Sequence, residues 1–149
     1  MSRERESFPD EYSIRVSKSE NDNIEEILRL FKSTDGFDDS DYQIKLIQDL
    51  QNQGLIFECV DTSKQNKLMG AVAMYPISDN TIFIDRLTVE LKHRRFGIGK
   101  KLIESVVQFG QDNDVSKVML VSTSKAKGFY KKLGFVCTDK GYSIFEKDL

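Results

Sequence analysis

The stretch Arg94-Arg95-Phe96-Gly97-Ile98-Gly99-Lys100-Lys101 constrains this chain most, because it joins an apolar strand-like run, Ile82 to Val89, to an amphipathic one. From Gly99 onward, Leu102, Ile103, Val106, Val107 and Gly110 recur at the spacing of one helix face, which predicts a helix on a core, running to about Asn113. Two glycines one residue apart let the backbone turn with no Cβ in the way, so successive N–H groups can point into one concavity. A helix start leaves its first N–H groups free and carries the positive end of the dipole. Arg94, Arg95, Lys100 and Lys101 crowd that same end, where cations oppose the dipole unless an anion is held. The stretch reads as a phosphate site.

Two familiar phosphate loops do not fit. The dinucleotide fingerprint needs a third glycine where Leu102 stands, and a P-loop needs a hydroxyl where Gly99-Lys100-Lys101 ends in lysine. The stretch resembles instead the acetyl-CoA signature of the GCN5-related N-acetyltransferases (GNAT), Arg/Gln-x-x-Gly-x-Gly/Ala, through Arg94, Gly97 and Gly99. Leu87-Thr88-Val89 stands where that family ends a Leu-x-Val strand, and Phe129-Tyr130-Lys131-Lys132-Leu133-Gly134-Phe135 is similar to its Phe-Tyr-x-x-x-Gly-Phe helix. The motifs run from about Leu87 to Phe135, and the element order extends the likeness over nearly the whole chain.

Tyr12 to Val16 alternates as a first strand. Asn21 or Asp22 can cap a helix with Ile24, Ile27, Leu28 and Phe31 inward, stopping near Gly36; Ser40 or Asp41 can start a second, with Leu46, Ile47 and Leu50 inward, ended by Gly54. Strands at Leu55 to Asp61 and Leu68 to Ile77 flank a polar turn and suggest a hairpin, followed by a strand from Thr81 to Val89. After the glycine-led helix come a strand from Lys117 to Ser122, a short helix from Lys125 to Leu133, and two closing strands around Asp139-Lys140-Gly141. The expected fold class is α/β, a mixed sheet in the order β-α-α-β-β-β-α-β-α-β with helices on both faces, which is also the GNAT order. The crossover from the fourth strand to the fifth should be parallel, with a ligand seated where the two separate.

The resemblance implies an acetyl-CoA-dependent N-acetyltransferase. On it, the backbone of Leu87, Thr88 and Val89 holds the pantetheine arm as an added strand would. The Leu87 N–H polarises the thioester carbonyl, and the loop Arg94, Arg95, Phe96, Gly97, Ile98, Gly99 and Lys100 binds the pyrophosphate. Tyr130 matches the tyrosine that approaches the CoA sulfur as general acid; its ordinary pKa of about 10 makes it a donor rather than a base. Thr123 stands where many relatives carry an asparagine that contacts CoA, and offers a shorter hydroxyl. Strict alternation would place Phe83, Asp85, Leu87 and Val89 on one strand face, a carboxylate among apolar neighbours. By the resemblance Asp85 is a base, its pKa raised by burial, as in part of that family, where other members use only ordered water; read from the residues alone, it is as well one half of a structural salt bridge or a hydrogen-bonded cap. His93 reads as structural or pyrophosphate-adjacent.

The acceptor is less specified. Asp35 and Asp38, with Asp39 and Asp41, could steer a cationic amine, or serve as caps and solvated loop residues. A small primary amine or amino-bearing metabolite is the expected acceptor. The alternatives are a peptide or protein amino group, or a CoA-binding module without turnover. Cys59 and Cys137 form no Cys-x-x-Cys pattern and His93 is the sole histidine, so no metal is expected. A net charge of -2 gives no overall pull toward nucleic acid or an anionic membrane, and no apolar run is long enough to span one. With 149 residues there is room for about one domain, 11–149, behind a charged tail, Met1 to Asp10, that lacks the apolar core of a secretory signal. The expected compartment is the cytoplasm, and a homodimer is compatible with the family.

Overall fold

The structure is a computed structural model, and it describes residues 11–21, 23–33, 40–94, 96–141 and 143–149. The expected tail, 1–10, lies outside them. Among the described residues four α-helices and seven strands follow in the order β1 (Tyr12–Val16), α1 (Ile24–Lys32), α2 (Asp41–Asn52), β2 (Ile56–Asp61), β3 (Lys67–Ser78), β4 (Thr81–Val89), α3 (Ile98–Asp112), β5 (Lys117–Val121), α4 (Lys127–Lys132), β6 (Val136–Cys137) and β7 (Ile144–Asp148). The strands form one sheet, β1-β2-β3-β4-β5-β7-β6, antiparallel throughout except for the β4/β5 pair. That is the expected mixed α/β sheet, closed by two strands.

Each face has its own core. Ile27, Leu30 and Phe31 of α1 and Ile47 and Leu50 of α2 bury against Ile56, Val60, Leu68, Ala71 and Ala73. On the other face Ile98, Leu102, Ile103 and Val106 of α3, with Tyr130 of α4, meet Phe57, Cys59, Val72, Met74, Ile84, Val118, Leu120 and Phe145. The apolar spacing of α3 turns one stripe inward, as its sequence requires. Gly70 seats the helix, since a Cβ there would lie 3.2 Å from both Ile98 and Leu102.

The helix ends depart from expectation in one place. Ser40 caps α2 by accepting from the Gln43 N–H at 3.3 Å, and Gly54, at φ +73°, takes the left-handed turn that follows its end. For α1 the N-cap is Asn23 rather than Asn21, and its side chain makes no cap bond. The reason is a better partner: the Asn23 amide donates to Glu58 Oε2 at 2.5 Å and accepts from Gln51 at 3.1 Å. Asp22 and Gly36 lie outside the described residues, and α1 ends at Lys32.

Candidate active site

β4 and β5 pair only from Thr81↔Lys117 to Ile84↔Leu120. β4 then runs on to Val89 with no strand of the described residues beside its β5 edge, while β5 stays zipped to β7 as far as Val121↔Ile144. A wedge opens between them. The Glu90 N–H donates to the Met69 carbonyl on β3 at 2.8 Å. Backbone groups alternate sides along a strand, so Thr88 and Arg86 also face β3, and those of Leu87 and Val89 face the wedge.

Where the wedge widens, α3 begins. Gly97 sits at φ +78° as its N-cap, a conformation that only glycine takes without strain, and a Cβ there would meet nothing within 4 Å. No side chain of the described residues caps the helix, and Lys101 N–H to Gly97 C=O, 3.1 Å, is its first bond back to the loop. The N–H groups of Ile98, Gly99 and Lys100 are those that a helix start leaves for a ligand. Gly99 has a different role: a Cβ there would lie 3.2 Å from Phe129 Cζ and 3.7 Å from Val89, so its small size lets α4 approach the loop. The Ile98 side chain is buried in the core, Phe96 is half-buried and Lys100 is exposed. Arg94 is exposed, and its Nε donates to the Val89 carbonyl at 2.9 Å, tying the loop to the end of β4. Arg95 lies outside the described residues.

Tyr130 is brought to the same region through Phe129. Its ring meets Phe129 and Phe135 edge-on at centroid distances of 5.0 and 5.6 Å, and burial pushes its phenol up to about 12. Thr123 is exposed just past the end of β5, and its hydroxyl caps nothing. Thr88 faces away from the wedge. Its backbone is paired with Ala71, and its buried Oγ1 has no hydrogen-bond partner among the described residues.

Asp85 required the largest revision. Ala73 pairs with Arg86 and Met74 with Ile84, so Asp85 is the extra residue of a β-bulge. Ile82 and Ile84 pack into the α3 core, and so do Leu87 and Val89. The phase of the strand therefore shifts between them, and Asp85 and Arg86 share the opposite face, with Phe83, whose ring packs on Tyr75 at 5.5 Å. Phe83 and Asp85 are thus not on the face of Leu87 and Val89. The break is written in the sequence as apolar residues at Ile82 and Ile84, then at Leu87 and Val89. Asp85 is 20% exposed and 3.8 Å from Arg86, a neighbour that sequence reasoning passed over. Burial raises its pKa above the usual carboxylate range, and Arg86 works against that rise. Asp35 and Asp38 lie outside the described residues. No group of three metal-type side chains occurs among the described residues.

The profile of the Acetyltransferase (GNAT) family matches residues 22–135. The chain belongs to that family. N-acetyltransferase 8B of Homo sapiens is 34% identical over 86 residues, which is 52% of this chain and 38% of that protein. The match therefore spans well under half the length of that relative. An acetyltransferase of the GNAT family from Staphylococcus aureus Mu50 superposes with a TM-score of 0.79 at 15% identity, covering 93% of this chain and 99% of that one. A chain of the NatC complex bound to Gag peptide and CoA gives 0.79 at 22% identity, with 93% and 99% covered. These likenesses show the GNAT fold; no helix of the described residues is long and apolar enough to cross a membrane.

Proposed function

We propose that the chain transfers an acetyl group from acetyl-CoA to a primary amine, by direct attack with both substrates bound. The observation that carries this reading is the parting of β4 and β5 beyond Ile84, beside an uncapped helix start. Acetyl-CoA supplies the acyl carbon and a thiolate leaving group. The described residues fit such a ligand: a free strand edge for an amide-bearing arm, and helix N–H groups behind Gly97 for a pyrophosphate. The Leu87 N–H is a fixed donor toward oxygen on which negative charge builds. Tyr130, protonated at neutral pH, can give its proton to the departing sulfur. Asp85, on the opposite face, can take the amine proton directly or through water. Thr123 offers a hydroxyl at the mouth.

A small amine is the acceptor this reading favours. A peptide amino group is the second reading, and the NatC neighbour, bound to Gag peptide, is the observation that keeps it. The deciding experiment is thiol release from acetyl-CoA across polyamines, arylalkylamines, amino acids, amino sugars and short peptides, with calorimetry for acetyl-CoA binding. Tyr130→Phe should lower turnover about 100-fold or more while acetyl-CoA still binds. Binding without turnover of any amine would leave a CoA-binding module; absent binding would remove the reading altogether.

A further inference from the structure

Along β7, Phe145 is buried in the α3 core and Leu149 packs against that core, so Lys147 between them points to the same face. Its cross-strand neighbour on β5 is Val118, which is wholly buried there. A charged side chain thus stands in an apolar row. It is half-buried, and among the described residues no carboxylate pairs with its ammonium. Instead Lys147 Nζ donates to the carbonyl of Leu133, the residue that closes α4, at 2.9 Å. A cation suits that end of a helix, where the last carbonyls lack partners of their own.

What the bond holds is the helix that carries Tyr130. α4 has six residues, too few for a helix to keep its form and place by its own hydrogen bonds. Beyond its end the Tyr130 carbonyl accepts from the Leu133 and Phe135 N–H groups at 3.0 and 3.1 Å, and the Lys131 carbonyl from the Gly134 N–H at 3.0 Å. Gly134 also makes room for the lysine. At φ +92° it takes the left-handed turn that follows the helix, and a Cβ there would lie 2.5 Å from Lys147 Nζ. Nearer the other end of α4, Gly99 lets Phe129 in against the loop that starts α3. Tyr130 therefore lies between two supports, its neighbour Phe129 on the loop and Leu133 on β7. Burial alone raises its phenol, with no contribution from Lys147, so the lysine bears on Tyr130 through position and not through charge.

We propose that Lys147 is a positioning residue for acetyl transfer, tying the end of α4 to β7 so that the Tyr130 hydroxyl is held where the departing sulfur takes up its proton. The inference rests on the acetyltransferase reading, with Tyr130 as its acid. It is tested by a double-variant cycle on the full chain, with kcat for the best-used amine of the panel above and acetyl-CoA affinity by calorimetry, both well below melting. Lys147→Met should lower kcat about tenfold or more, as a donor displaced by a fraction of an ångström would, and leave the acetyl-CoA affinity within about twofold. In the Tyr130→Phe chain the same change should lower kcat by less than about twofold, because the proton that it positions is already gone. Lys147→Arg keeps a donor for the Leu133 carbonyl and should stay within about threefold of the unaltered chain. Lys147→Gln, whose amide stops short of that carbonyl, takes the place of Lys147→Met should that variant not fold. An unchanged kcat in Lys147→Met overturns the inference, as does a Lys147→Arg variant just as slow. A loss of equal size with and without the Tyr130 hydroxyl, or one matched by a loss of acetyl-CoA affinity, overturns it too and makes the lysine a general support of the fold. Turnover of no amine by the unaltered chain removes the acetyltransferase reading and this inference with it.

Discussion

The Arg94 guanidinium reaches back five residues to Val89, its Nε donating to that carbonyl at 2.9 Å. The bond closes the turn between β4 and α3, and it occupies a backbone acceptor that faces the wedge. An arginine that opens the family signature thus acts here as a brace. Arg94→Lys keeps the charge but loses the fork that reaches Val89. Both Arg94→Lys and Arg94→Ala should weaken acetyl-CoA binding about threefold to tenfold, the effect of an exposed charge-assisted hydrogen bond. Calorimetry decides it: Arg94→Lys binding like the unaltered chain would mean that charge alone matters.

The two loop glycines should fail differently. Gly97→Ala has room for its methyl group but must hold φ at +78°, so the cost is backbone strain of about 1–2 kcal/mol, or roughly 2–8 °C in Tm. Gly99→Ala meets Phe129 at 3.2 Å, and the ring must yield. Its damage should fall on kcat through the neighbouring Tyr130 more than on Tm. Scanning calorimetry beside kinetics separates them, and an unchanged Tm for Gly97→Ala would dismiss the strain argument.

Much of this was legible because the signals were local. The turn cations and glycines, the stripe Leu102, Ile103, Val106 and Val107, and the Ser40 cap each depend on neighbours within a helix turn or two. The failures came from distant residues. The N-cap of α1 is Asn23 and not Asn21, and its side chain goes to the buried carboxylate of Glu58, 35 residues away, instead of to the helix. The Asp85 bulge exists only in the pairing with β3, so strict alternation placed Phe83 and Asp85 on the wrong face although the phase break stood in plain sequence. The Leu-x-Val match likewise gave no sign that the Thr88 backbone pairs with Ala71 on β3 and so does not face the wedge.

Asp85 sets a pH limit with a determined sign. Burial disfavours its ionised form, so its pKa is raised, and a base must be ionised to act. The acid limb of kcat/KM should therefore lie above the value of about 3.9 of an ordinary aspartate. Arg86→Gln removes the opposing attraction and should move the limb to higher pH still. Asp85→Asn should abolish the limb and lower turnover about 100-fold or more. Stability runs the other way: a raised folded-state pKa means that stability is lost as pH rises through it, so Asp85→Asn should melt higher than the unaltered chain at neutral pH. A limb that survives in Asp85→Asn would reassign the proton to ordered water or another group.

The Glu58 side chain is wholly buried, and its carboxylate accepts from Arg15 Nε at 2.7 Å and from Asn23 at 2.5 Å. Gln51, whose amide donates to Ser17 at 2.9 Å and to Asn23 at 3.1 Å, completes a polar cluster joining β1, β2, the start of α1 and the end of α2. Removing one partner strands the other. Glu58→Gln should cost about 3 kcal/mol, the low end for a broken buried pair because Arg15 is 33% exposed, or roughly 6–12 °C in Tm. The double variant Arg15→Met with Glu58→Leu removes both charges and should recover most of that loss. Since the cluster anchors α1 and α2 rather than the wedge, acetyl-CoA affinity in Glu58→Gln should stay near that of the unaltered chain at temperatures well below melting. A Glu58→Gln variant that melts normally but loses amine turnover would instead give Glu58 a part in the chemistry.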